Sequence, residues 1–117
     1  MPSTIIYKRG DVVLVPFPFT DLSSAKQRPA LVVSLDSLNS IRDDVLVTAI
    51  TSQIPNRLAP DEFSIPASDL AACGLPSPSI IRLMKLAALH RQLVIKRVGA
   101  LPASTLARVL VQLRQLL

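Results

Sequence analysis

The residue best placed to do chemistry in this 117-residue chain is an arginine standing just before an apolar run. Gln27-Arg28-Pro29 leads into Ala30-Leu31-Val32-Val33, so Arg28 sits at the mouth of an expected strand over residues 29–35. Pro29 biases Arg28 toward an extended backbone. A guanidinium fixed there can hold a phosphate through two parallel hydrogen bonds. The same residues also fit an arginine that lays its stem on apolar surface and its head in water. Thr51 and Ser52 end another expected strand, residues 45–51, where hydroxyls can reach a ligand in the same cleft. Threonine is equally at home in strands and serine in the turns after them. Lys26 adds a cation to the polar loop 20–27, as a phosphate contact or as a solvated side chain. Phe17 and Phe19 share parity on the first strand and so one side of it. They are placed either to stack bases of single-stranded RNA or to pack in a core or dimer interface. Arg82 and Lys85 interrupt the apolar run 79–89 and are further candidates for binding RNA.

Other chemistries lack their residues. Gly10, Gly74 and Gly99 are isolated, so there is no glycine-rich phosphate loop. Cys73 is the only cysteine, which excludes an internal disulfide and a cysteine cluster for zinc. It reads as a small apolar filler in a reducing compartment. The lone His90 rules out a two-histidine acid–base pair and reads as a structural or surface residue. No metal and no cofactor is implied.

The formal net charge is +5, and its distribution says more than its sum. Residues 74–117 hold seven basic side chains (Arg82, Lys85, Arg91, Lys96, Arg97, Arg108, Arg114) and no acid. An acid-free basic half suggests a polyanionic partner, nucleic acid or an acidic protein segment. A solubilising surface is the plainer alternative. With 50% hydrophobic and 18% charged residues the chain is not intrinsically disordered. No apolar run approaches the ~18–20 residues of a membrane helix. The start does not read as a signal peptide, because Asp11, Pro16 and Pro18 break it up. The expectation is a soluble, cytoplasmic protein with no membrane partner.

The elements that must position these groups are short. The length suits one domain, residues 1–117, and four aromatics (Tyr7, Phe17, Phe19, Phe63) leave the core to aliphatic side chains. Residues 1–9 read as an arm and 11–19 as a β-branched strand closed by two prolines. Residues 36–43 form a loop or one helical turn, and residues 62–65 a short strand. A helical turn follows within 67–78, ending near Gly74. Residues 79–89 fit helix or strand, and the prolines before them and the β-segment after them (94–98) favour strand. In the final segment, 102–117, Leu106, Val109, Leu110, Leu113 and Leu117 fall at helical spacing, with Arg108, Gln112 and Arg114 opposite. Ala103 or Ser104, next to Pro102, marks its start. Short strands followed by one helix predict a mainly β fold, a small curved antiparallel sheet or barrel with a helix packed on it.

Residues 10–34 (GDVVLVPFPFTDLSSAKQRPALVVS) and VLVTAITS at 45–52 resemble the MazF/PemK toxins of type II toxin–antitoxin systems. Gly74-Leu75, Ser79, Lys85 and Val98-Gly99-Ala100-Leu101 before an amphipathic helix extend the likeness. The resemblance implies an SH3-like barrel, a homodimer, and a metal-independent endoribonuclease that cleaves single-stranded RNA, mRNA included. It implies catalytic roles for Arg28 and Thr51. In such cleavage the ribose 2′-OH attacks phosphorus, leaving a 2′,3′-cyclic phosphate and a 5′-OH, and a fixed guanidinium stabilises the charge that builds up. It further implies a cognate antitoxin whose acidic tail competes for the RNA surface. Many family members carry Gly-x-Glu in the first loop; here Asp21 is the only substitute nearby. A CcdB-like toxin that binds a protein target such as gyrase, or an inactive SH3-like RNA-binding module, are the alternatives.

Overall fold

A computed structural model describes residues 5–17 and 26–117, with Phe17 described by its backbone alone. Six antiparallel strands form one sheet: β1 (Asp11–Phe17), β2 (Lys26–Val32), β3 (Asp44–Thr51), β4 (Glu62–Ser64), β5 (Ile80–His90) and β6 (Lys96–Ala100). Their order is β4-β5-β3-β2-β1-β6. Among the described residues no ladder joins β4 to β6, so the sheet is curved but open. Among the described residues there are three α-helices, α1 (Asp36–Asn39), α2 (Leu70–Cys73) and α3 (Ala103–Gln115), and two 3-10 turns, Ala67–Asp69 and Arg91–Leu93.

The strands are aliphatic on both faces, and both faces are buried. On one, Val12, Leu31, Ile50, Ile81 and Leu83 pack with Val109 and Leu113 of α3. On the other, Val13, Val15, Ala30, Val32, Val45 and Val47 enclose Tyr7 and Val94. Alternation along each strand divides the residues between the two clusters. Asp11 ties the N-terminal arm to β6. Its carboxylate accepts the Lys8 N–H at 2.8 Å and the Arg97 Nε–H at 2.9 Å. Gly10 makes the turn into β1 with φ of 95°, a left-handed conformation that glycine adopts without strain. Gly10-Asp11 is therefore a structural turn.

Three expected boundaries move, each for a local reason. Strand β2 begins at Lys26 rather than residue 29, because its ladder with β1 runs from Lys26 to Leu31 and pairs Pro29 with Leu14. Strand β6 begins at Lys96, two residues late, because a 3-10 turn, Arg91–Leu93, comes first, capped by the His90 ring accepting the Gln92 N–H at 3.1 Å. Helix α3 spans Ala103–Gln115, so Leu117 lies past its end and is 79% exposed instead of on the apolar face. Its polar side is not all solvent-facing either. Arg108 covers the Phe63 ring at 5.3 Å, and Gln112 donates to the Pro60 and Glu62 carbonyls.

Strand β5 explains the ambiguity of residues 79–89. Between Arg82 and Leu86 its register with β3 slips, leaving Leu83-Met84-Lys85 out of that ladder. A bulge of that size breaks the two-residue period that marks a strand. The Thr48 hydroxyl, fully buried, donates to the Arg82 carbonyl at 2.5 Å, a side-chain bond across the slip.

Candidate active site

The cleft begins where β2 and β3 stop pairing. Val33 N–H donates to Leu46 O at 2.9 Å, and the Cα partners run from Val32↔Val47 to Ala30↔Ala49. Alternation then aims the Leu31 N–H and the nitrogen of Pro29 at β3 as well. Pro29 has no N–H to give, so the ladder cannot continue to Ile50. The same register carried two residues further brings Arg28 opposite Thr51, on one face of the sheet. In the gap left by the missing bond lies a cavity of about 130 Å³, lined by Arg28, Ile50, Thr51 and Ser52 on the strand side and by Leu75 and Ser79 across from them. A second cavity, of about 160 Å³, is bounded by Arg28, Thr51, Ser52, Gln53 and Arg82. Arg28, Thr51, Ser52 and Arg82 thus come together.

The chemistry of this cleft is cationic and hydroxylic. Arg28 is exposed, and its guanidinium makes no hydrogen bond or ion pair with any described residue. The Thr51 oxygen accepts the Gln53 N–H at 3.1 Å, which orients the hydroxyl and leaves its proton to donate outward. Arg82 reaches the cleft from β5, opposite Ala49. Two guanidiniums and a hydroxyl can share the oxygens of one phosphodiester, and cations there favour the more highly charged transition state.

The remaining candidates separate. Lys26 is exposed at the start of β2 with the parity of Arg28, but it lines neither cavity. Lys85 lies in the β5 bulge, exposed and off both cavities. The Phe17 side chain, Phe19 and Asp21 lie outside the described residues. His90 caps its 3-10 turn on the far end of β5. Cys73 is fully buried, and burial, with the nearby Asp69 carboxylate, pushes its thiol up toward the neutral form.

Sequence reasoning missed Glu62. Asp21 looked like the only carboxylate available, yet Glu62 lines a third cavity with Thr51 and Arg82. The signal is faint along the chain, one acid opening a three-residue strand, and only the register Glu62↔Arg82 places it. The charge asymmetry also changes meaning in three dimensions. Arg91 pairs with Asp43 at 3.4 Å and Arg97 with Asp11 at 2.9 Å, so two cations of the acid-free half neutralise acids of the other half.

Comparisons with known proteins agree with this architecture. Residues 8–117 match the family model described as PemK-like, MazF-like toxin of type II toxin–antitoxin system. No curated protein matches the chain in sequence. Among solved structures, MazF from Deinococcus radiodurans superposes with a TM-score of 0.74 at 22% identity, covering 97% of each chain. The MazE–MazF complex of the same organism gives 0.74 at 24% identity, with 96% of each chain covered. An endoribonuclease in complex with its cognate antitoxin, from a mycobacterial species, gives 0.73 at 18% identity over 93% of this chain and 92% of the other. At such identities the likeness establishes the fold. Among the described residues no helix is long and apolar enough to cross a membrane.

Proposed function

The chain belongs to the PemK-like, MazF-like toxins of type II toxin–antitoxin systems, and from there we propose that it is an endoribonuclease cutting single-stranded RNA without a metal ion. The observation that carries this reading is the pair Arg28 and Thr51 on the walls of two shared cavities, opened by Pro29. The ribose 2′-oxygen attacks the adjacent phosphorus and loses its proton. An O2′–P bond forms, the P–O5′ bond breaks, and the 5′-oxygen takes up a proton. The products are a 2′,3′-cyclic phosphate and a 5′-OH. Arg28 holds the phosphoryl oxygens as their charge grows, and the Thr51 hydroxyl donates to the same phosphate or orients the 2′-OH. An arginine stays protonated near neutral pH, so its contribution is electrostatic and positional. Family membership, together with the antitoxin bound to two of the similar structures, supports a cognate antitoxin as the partner. An acidic tail would compete with RNA for Arg28 and Arg82. A homodimer is part of the same reading.

The test is incubation of the purified protein with end-labelled single-stranded RNA in excess EDTA. We expect cleavage to persist and to stop in Arg28→Ala, whose circular dichroism and melting temperature match the parent. Undiminished cleavage by a folded Arg28→Ala protein refutes the assignment. Loss of cleavage in EDTA, restored by a divalent ion, refutes the metal-free mechanism.

A further inference from the structure

The third cavity holds more information than its size suggests. It measures about 300 Å³ and is lined by Thr51, Gln53, Ile54, Pro55, Glu62 and Arg82. That is the small end of ligand pockets, with room for one nucleobase. It shares Thr51 and Arg82 with the cleft just described, so whatever it holds lies beside the phosphate. Glu62 and Arg82 are direct cross-strand partners, yet among the described residues they form no ion pair. The carboxylate is held instead by its own turn, Oε1 accepting the Ala59 N–H at 2.8 Å. The backbone beneath is pinned from α3, where Gln112 donates to the carbonyls of Pro60 at 2.8 Å and Glu62 at 3.1 Å. A carboxylate anchored by its own turn and a guanidinium thus line one cavity, together with the apolar Ile54 and Pro55.

We propose that this cavity is a guanine-recognition subsite: the Glu62 carboxylate accepts the N1–H and N2–H₂ donors of the base, and Arg82 donates to O6 and N7. The proposal deepens the endoribonuclease reading and rests on it. Single-stranded RNA is read on its exposed Watson–Crick and Hoogsteen edges. Guanine alone sets two N–H donors side by side there, and a carboxylate with two oxygens matches both. Its O6 and N7 are the usual targets of an arginine fork. Uracil brings one N–H to the carboxylate. Adenine and cytosine place a ring acceptor beside their amino group, which would set lone pair against lone pair on the second oxygen. Such a mismatch in a preorganised polar site is costly.

Two measurements test it. The cut site is first mapped on a random-sequence RNA pool. Wild-type cleavage is then compared on oligoribonucleotides that differ in one base beside the cut: guanine, hypoxanthine (inosine), adenine, cytosine or uracil. Guanine should lead every other base, and inosine, which lacks the N2 amino group, should be cut about tenfold more slowly, the effect of one hydrogen bond to a charged group. Glu62→Gln keeps an acceptor for the Ala59 N–H while replacing the other oxygen with a donor, so its preference for guanine should flatten by about tenfold. A wild-type protein that cuts RNA with no guanine fixed beside the cut, or with inosine equal to guanosine, overturns the subsite and leaves the nuclease standing. So does a Glu62→Gln protein with the parental preference. A wild-type protein that cuts no RNA overturns both.

Discussion

Two arginine–carboxylate neighbours sit on this sheet and behave oppositely. Asp11 and Arg97, at the β1–β6 edge, satisfy each other: the carboxylate is buried and takes the guanidinium N–H at 2.9 Å and the Lys8 N–H at 2.8 Å. Glu62 and Arg82, at the β4–β5 edge, are direct partners in register but leave each other unbound and face a cavity. Each sets a carboxylate beside a guanidinium. What differs is whether the backbone lets the two heads meet. A closed pair fixes the fold, whereas an open one keeps its hydrogen-bonding capacity for something else.

Substitutions at the open region should cost activity without stability, and those at the closed pair the reverse. The largest effect is expected at Arg28→Ala, a fall in initial cleavage rate of about a hundredfold or more, with urea midpoints unchanged. A comparable loss of stability would move Arg28 into the structural class. Thr51→Ala should cost about tenfold by the same assay, since a hydroxyl contributes less than a charged fork. Rates equal to the parent's would remove Thr51 from the site. At the closed pair, Asp11→Ala should lower unfolding free energy by about 1–2 kcal/mol, because the Lys8 N–H loses its acceptor and the half-exposed Arg97 returns to water. The cleavage rate per folded molecule should hold. Unchanged stability would mean that the pair does not brace the arm. The smallest effect is expected for Glu62→Gln on the urea midpoint, within about 0.5 kcal/mol, because the Ala59 cap survives. A larger drop would place Glu62 with Asp11.

Much of the fold was legible because aliphatic runs and prolines punctuate the chain. β3 and α3 came out within two residues of their bounds, since a β-branched run and a 3.6-residue stripe each fit one element type. Strand β5 was ambiguous for a physical reason: its bulge at Leu83-Met84-Lys85 destroys the period. The start of β2 was misplaced because Pro29 looked like a beginning; its missing N–H instead marks where β3 lets go. Arg28 and Thr51 could be suggested from their strand ends, and Glu62 could not. Nothing along the chain tells a carboxylate held by its own turn from one spent on a neighbouring arginine.

Composition and spacing alone determined that this would be an aliphatic, proline-punctuated β protein with one amphipathic helix, because burial periods are written locally along the chain. They also supplied the chemical types that any site could use. Which of those groups meet was decided by register and ladder length. A missing N–H at Pro29 opened the cleft between Arg28 and Thr51, and the pairing of β4 with β5 brought Glu62 to Arg82. Those are long-range pairings, fixed only when the whole sheet packs against its two cores.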